Sequence, residues 1–234
     1  VDKKNVVNYL LSERVEYVSS GFYKDGEKDS IWTTKRTHYT NDKVDQQNET
    51  ETSYARGVKD GRYYYKNESN QGLKLIRGNY LKGQRHGSFQ ANILKTSSLN
   101  KDAMKKLSCY FEKGQLNGPF SLEYDQDYRE TQSFSSPEKR VKCYLKGTFK
   151  NGLYDGEWKG LYVKDTGYGK SKAFDLKVTF VDGLFKKGGI TDHENGNFNE
   201  WRFEHFYKVT QLEFDSLSAL NEIRISDNSQ SFYD

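Results

Sequence analysis

Residues 147–158 read GTFKNGLYDGEW, with two Asx-Gly pairs, Asn151-Gly152 and Asp155-Gly156, set between Phe149 and Trp158. Asn and Asp tolerate positive φ better than most residues, and Gly adopts it without steric cost. Such a pair flanked by alternating apolar residues is the strongest local signal for a β-hairpin. The stretch therefore reads as strand, tight turn, strand, with a second turn signal just beyond the first.

The same signature returns along the chain. Its anchoring glycines are Gly26, Gly57, Gly83, Gly114, Gly152 and Gly183, at spacings of 31, 26, 31, 38 and 31 residues. Three residues before each stands Tyr23, Tyr54, Tyr80, Phe111, Phe149 or Phe180. Four residues after come Ser30, Gly61, Gly87, Gly118 and Gly156, and six after come Trp32, Tyr63, Phe89, Phe120 and Trp158. The last copy slips by one residue, to Gly188 and Ile190. A repeat of this regularity fixes architecture before it says anything about chemistry.

Period-two alternation supports strands on both sides of the turn. Phe174, Leu176, Val178 and Phe180 share one face, while Asp175, Lys177 and Thr179 take the other. Aromatics at matching places in successive hairpins would line up in rows across the sheet, with glycines such as Gly78 and Gly147 leaving room for neighbouring rings. The uneven stretches, near 40–48, 66–72, 95–106, 125–140 and 164–172, fall at the other end of the strands and read as loops, with a short helix at 97–106.

Apolar residues make up 34% of the 234 and aromatics 15%, which suits a thin sheet covered by rings better than a deep aliphatic core. The aromatic content also argues against disorder. A one-sided apolar sheet must be covered. The chain after Gly196 is the expected cover, with a strand or helix through 198–212 and a short amphipathic helix at 216–224; a partner or dimer surface is the rival. The reading divides the chain into a lead-in over 1–20 (a helix at 2–12, then a strand at 13–20), a hairpin array over 21–191 and an acidic capping segment over 192–234. The expected fold is mainly β, an elongated antiparallel meander of about six hairpins with a C-terminal strand or helix cap.

The net charge of +4 hides an asymmetry. Residues 56–106 carry twelve Lys/Arg against three acidic residues, whereas 192–234 carry nine acidic residues against three basic. A basic stretch can attract acidic proteins or phosphates, or be a solvated face answered by the acidic tail of the same or another molecule. Cys109 and Cys143 fall in neighbouring repeats with a strand between them, roughly 10 Å apart and too far for a disulfide. They read as small buried side chains. No apolar run reaches transmembrane length, and no signal peptide is visible. A soluble protein is therefore expected, and the start at Val1 rather than Met leaves export with a leader or upstream region removed open beside a cytoplasmic place.

The glycine and aromatic places resemble MORN repeats, whose pattern is approximately Y-x-G-x-W-x-x-G-x-x-x-G-x-G. GTFKNGLYDGEW at 147–158 is the nearest copy, followed by GNYLKGQRHGSF at 78–89 and GFYKDGEKDSIW at 21–32. Where the standard repeat has its last glycine, this chain has Trp32, Tyr63, Phe89, Phe120 or Trp158, which resembles the divergent bacterial group labelled antitoxin-like MORN-variant proteins. The resemblance covers about 18–190. It implies successive antiparallel hairpins that scaffold other proteins, with lipid association in some members.

Chemistry is sparse. His86 occupies a turn place that the MORN pattern also gives to histidine. His193 lies in a polar loop, no second histidine stands at metal-ligand spacing, His205 reads as an interfacial aromatic, and the H-E-x-x-H, G-x-S-x-G and P-loop patterns are absent. Asp125/Asp127 and Asp192/Glu194 read as solvated loop charges. GRYYYKN at 61–67 interleaves bases with rings, but the repeat's own packing claims half of them, which disfavours a nucleic-acid stacking platform. No cofactor or metal is expected. The sequence thus points to a non-catalytic scaffold for protein partners, with Arg56, Lys59, Arg62, Lys74, Arg77, Lys82 and Arg85 as contact residues. Two alternatives stand beside it: anionic-lipid association through 56–106, and an enzyme with its site near His193, Glu194 and His205.

Overall fold

A computed structural model describes residues 3–6, 13–95, 103–128, 139–167 and 170–200. Among them there is no helix, and every strand joins one antiparallel sheet. The strands are β1 (Lys3–Val6), β2 (Glu13–Lys24), β3 (Glu27–Thr40), β4 (Lys43–Ala55), β5 (Val58–Ser69), β6 (Gly72–Leu81), β7 (Gln84–Arg85) and β8 (Gly87–Lys95). They continue as β9 (Ala103–Glu112), β10 (Gln115–Tyr128), β11 (Lys139–Lys150), β12 (Leu153–Gly167), β13 (Lys170–Val181), β14 (Leu184–Asp192) and β15 (Phe198–Glu200). Spatial order follows chain order throughout, with β7 as the short first part of the strand that β8 completes. The expected meander of hairpins is what the chain forms.

Each anchoring glycine closes a two-residue turn. The residue before it and the glycine itself both have positive φ, from Asp25 (52°) and Gly26 (81°) to Asp182 (51°) and Gly183 (83°). Positive φ at both central positions defines the type I′ turn, whose twist matches the flanking strands.

The second turn signal makes a bulge rather than a turn. Ser30, Gly61, Gly87, Gly118 and Gly156 all have positive φ, between 63° and 98°. At each, the returning strand advances four or five residues while its partner advances two or three: Lys146–Thr148 faces Asp155–Lys159, for example. The extra residues increase the local twist and leave the ladder intact beyond them. In the last hairpin the bulge is one residue shorter, Thr179–Phe180 facing Phe185–Lys187, so Gly188 takes the ring place opposite Val178 and Ile190 falls in the next row opposite Leu176, a correction to the one-residue slip read from the sequence.

Beyond the bulge, small and aromatic residues alternate across the sheet. The row runs Gly21, Trp32, Thr52, Tyr63, Gly78, Phe89, Cys109, Phe120, Gly147, Trp158, Val178 and Gly188, each beside the next on the neighbouring strand. A Cβ on Gly21, Gly78 or Gly147 would collide with the ring of Trp32, Phe89 or Trp158. Each ring thus lies over a residue small enough to admit it, and Cys109 fills one of the small places. A second set of rings, nearer the turns, joins one hairpin to the next. Phe89 meets Phe111 at 5.0 Å between centroids, Phe120 meets Phe149 at 5.4 Å, and Trp158 meets Phe180 at 6.4 Å. Edge-on pairs of this kind contribute about 0.5–1.5 kcal/mol each beyond their burial.

Successive turns are also stitched by backbone. The N–H of each turn glycine from the second hairpin on donates to a carbonyl two residues past the preceding turn glycine: Gly57 to Lys28, Gly83 to Lys59, Gly114 to Arg85, Gly152 to Leu116 and Gly183 to Tyr154, at 2.8–3.1 Å.

Burial is uneven along the array. Trp158, Leu145, Val178, Phe149 and Phe180 are 0–1% exposed, whereas Tyr23 in the first hairpin is 56% exposed. The next row explains the difference. It begins Ser19, Thr34, Thr50 and Tyr65, then becomes Ile76, Ala91, Leu107, Leu122 and Leu145. The core belongs to β6 through β14, and the first hairpins carry a polar version of the same face.

Several local expectations are corrected. Lys3–Val6 is a strand paired with Val15–Val18, not part of a helix at 2–12, because the open edge of β2 offers its backbone a ladder. Ala103–Lys106 begins β9 rather than ending a helix at 97–106, for it faces Lys95–Asn92 on β8. The uneven stretches lengthen strands more than they form loops: β3 and β4 are joined by Asn41-Asp42 alone, and β5 and β6 by Asn70-Gln71. Polar residues on both faces are compatible with strands once both neighbours supply hydrogen bonds. Phe198–Glu200 pairs with β14 as a strand, while the remainder of the 198–212 segment and the 216–224 helix lie outside the described residues.

Candidate functional site

The seven cations that the sequence singles out do not form one patch. Arg56 and Lys82 stand at hairpin tips. Lys59, Lys74 and Arg85 lie over rings on the aromatic face, and Arg62 and Arg77 project from the opposite face.

At the tips, Arg56, Lys82 and Lys113 are exposed and each has φ of 50°. The equivalent places in the other hairpins hold Asp25, Asn151 and Asp182, residue types that adopt this conformation readily. For a long side chain the left-handed region costs about 1–2 kcal/mol. Successive turns are two strands apart, so the three cations stand in line, each roughly 10 Å from the next. Exposed Val58 and Leu81, each 45% accessible, lie on the same edge. Lys113 falls outside the basic 56–106 window and was detectable only from its repeat position, one residue before Gly114.

On the ring face, the place two residues past each turn glycine changes character along the array. It holds Lys28, Lys59 and Arg85 in the first three hairpins and Leu116, Tyr154 and Phe185 in the last three. Lys28 Nζ lies 4.4 Å from the Trp32 ring, Lys59 Nζ 5.0 Å from Tyr80, and the Arg85 guanidinium 5.3 Å from Phe111. Lys28 covers a ring of its own repeat, while Lys59 and Arg85 reach rings of the next one, at roughly 0.5–1 kcal/mol each when exposed, and Lys59 and Arg85 are thereby committed to structure.

On the opposite face, a depression of about 620 Å³ lies over β4, β5 and β6. Glu49, Glu51, Arg62, Tyr64, Arg77 and Gln90 line it. Glu51, Tyr64, Arg77 and Gln90 are register partners across four strands, and Arg62 sits diagonally beside Arg77. Tyr64 carries the Arg77 guanidinium 6.0 Å from its ring.

Elsewhere, His193 Nε2 lies 3.0 Å from Asp175 Oδ1, and Asp192 accepts the Glu194 N–H at 2.8 Å. His205 lies outside the described residues. His38 is flanked by Glu13 at 3.9 Å and Asp45 at 3.6 Å. Among the described residues no group of three His, Cys, Asp or Glu side chains could hold a metal ion, and no helix is long and apolar enough to cross a membrane. Neither Cys109 nor Cys143 is in a disulfide. They face Phe120 and Tyr124 of the intervening β10, and so are separated along the strands as well as across them. Burial pushes the Cys109 thiol up to about 12, against a smaller opposing pull from Arg85.

These features define an antiparallel sheet of repeated β-hairpins with a cationic turn edge. No protein-family model matches the chain, and no curated protein matches it either.

Proposed function

We propose that the chain is a non-catalytic, MORN-like binding platform that docks an acidic surface of a protein partner along its turn edge. The observation that carries this reading is the conformation of Arg56, Lys82 and Lys113, which hold long cationic side chains in a backbone region that favours Asn, Asp and Gly. Backbone strain retained at neighbouring equivalent places, where a comfortable residue type is used by the other copies, is a pointer to function. Kinship with MORN repeats is supported by the two glycine places of the motif, one making a type I′ turn and the other a bulge. The residues that recur build the sheet, which leaves recognition to the positions that vary.

A second reading has its own support. Val58 and Leu81 are exposed beside the cations, the combination that binds an anionic membrane surface. Capture from native extract distinguishes the two. An acidic protein partner should be retained by the wild-type chain, eluted by salt, and lost with Arg56→Asn/Lys82→Asn/Lys113→Asn. Sedimentation with phosphatidylserine vesicles at low salt, together with no such protein, would replace the first reading by the second.

A further inference from the structure

The depression on the face opposite the rings holds charges of both signs, sorted by strand. Glu49 and Glu51 come from β4, Arg62 from β5 and Arg77 from β6. Neither carboxylate lies within ion-pairing distance of either guanidinium, and neither guanidinium has a carboxylate partner among the described residues. This separation is unusual for the same face of this protein. Lys66 is paired with Glu68 at 2.6 Å, Lys142 with Asp125 at 3.4 Å, and Lys177 with Glu157 at 2.7 Å. Glu49 has a lysine as register partner on each neighbouring strand, Lys35 on β3 and Lys66 on β5, yet is within ion-pairing distance of neither, Lys66 being engaged by Glu68.

The two guanidiniums are diagonal neighbours on adjacent strands, because Arg62 faces Asn79 while Arg77 faces Tyr64. Such neighbours stand about 7–8 Å apart at the backbone, within reach of one shared oxyanion for side chains of this length. Asn79, Ser88 and Gln90 add uncharged hydrogen-bonding groups on the same side. Glu51 lies two strands from Arg77, roughly 10 Å away, with the Tyr64 ring between them.

From this arrangement we infer that the depression binds an extended, mixed-charge peptide segment. Its carboxylate lies between Arg62 and Arg77, and its lysine ammonium lies against Glu49 and Glu51. In an extended chain, side chains two residues apart point to the same face about 6.6 Å apart, and the flexible lysine stem spans the remaining distance. The motif is an acid and a lysine separated by one residue. A phosphate group suits the arginine pair as well. Its second negative charge is opposed by the two glutamates, which favours a carboxylate beside a cation. The site is distinct from the turn edge, and its occupancy does not require docking there.

The test measures fluorescence anisotropy of labelled undecapeptides on the whole chain. Four serine-background probes carry Glu-Ser-Lys, Glu-Ser-Glu, Lys-Ser-Lys or a single phosphoserine at the centre. The Glu-Ser-Lys probe should bind tightest, and Arg62→Ala/Arg77→Ala should weaken it roughly tenfold with an unchanged melting temperature. Glu49→Gln/Glu51→Gln should move the preference toward Glu-Ser-Glu. Equal or tighter binding of the phosphoserine or Glu-Ser-Glu probe to the wild-type chain would overturn the inference. So would indifference to the arginine substitutions, or no binding of any probe. Neither result bears on capture at the turn edge, because Arg56, Lys82 and Lys113 are unaltered in every variant used.

Discussion

Trp158 lies directly over Gly147, so that a Cβ on the glycine would fall inside the indole. The same relation holds between Phe89 and Gly78 and between Trp32 and Gly21. The aromatic row exists because every second residue in it is small. Gly147→Ala should therefore destabilise the chain by about 3 kcal/mol, near the upper end of ordinary overpacking costs. Gly152→Ala, where a Cβ meets nothing within 4 Å but φ is 81°, tests backbone strain alone and should cost about 1 kcal/mol. Urea unfolding of both variants checks the order.

The core's weight in the later hairpins predicts unequal costs of ring removal. Trp158 is 0% exposed and Tyr23 is 56% exposed, although both occupy signature positions. Trp158→Ala should cost about 3–5 kcal/mol. Tyr23→Ala should cost well under half as much, losing mainly its edge contact with Trp32 at 4.8 Å. Equal costs from thermal or urea unfolding would refute a core confined to β6 through β14.

How much of this was legible in the sequence depends on the element. The six type I′ turns follow from Asx-Gly and Lys/Arg-Gly dipeptides at a constant distance from the preceding aromatic, and the strands follow from alternation around them. The second glycine, present in four copies as Gly61, Gly87, Gly118 and Gly156, carries the same local preference for positive φ as the first. Only the pairing partner decides between turn and bulge, and that partner lies on another strand. For the same reason Lys59 and Arg85 read as partner-contact residues, although each lies over rings whose nearness depends on cross-strand register. The depression holding Arg62, Arg77, Glu49 and Glu51 joins three strands and left no linear signal. The strands at Lys3–Val6 and from Ala103 were missed because short polar segments take their structure from the neighbour they pair with.

Cys109 gives the alkaline limb of stability a definite sign. Burial raises its thiol from 9.0 to about 12. The folded chain keeps a proton that the unfolded chain releases, so this contribution is complete below pH 9 and is lost as pH rises toward 12. Denaturation measured from pH 8 to 11 should show the stability gap between wild type and Cys109→Ala closing as pH rises. A gap independent of pH would contradict the burial argument. Folded protein at pH 8 should also leave Cys109 unmodified by a maleimide that labels it after unfolding.

Glu157 sets an acid limb. Hydrogen bonds from Lys159 and then Lys177 hold its carboxyl below the usual 4.5. Stability from this bridge is present above that value and is lost as pH falls through the depressed folded value. Glu157→Gln should flatten the acid limb slightly while leaving neutral-pH behaviour nearly unchanged, since exposed ion pairs contribute little.

The cationic tips separate stability from binding. Replacing Arg56, Lys82 and Lys113 by Asn removes side chains that fit poorly at φ of 50°, and each change should stabilise the chain by about 0.5–1 kcal/mol. Together they should raise Tm by about 5 °C.

The most direct test of the turn-edge account is therefore the yield of salt-elutable acidic partner captured from native extract by the wild-type chain and by Arg56→Asn/Lys82→Asn/Lys113→Asn. The account predicts that the triple variant, folded and at least as stable as wild type, loses that partner. Undiminished capture by the stable variant would contradict it.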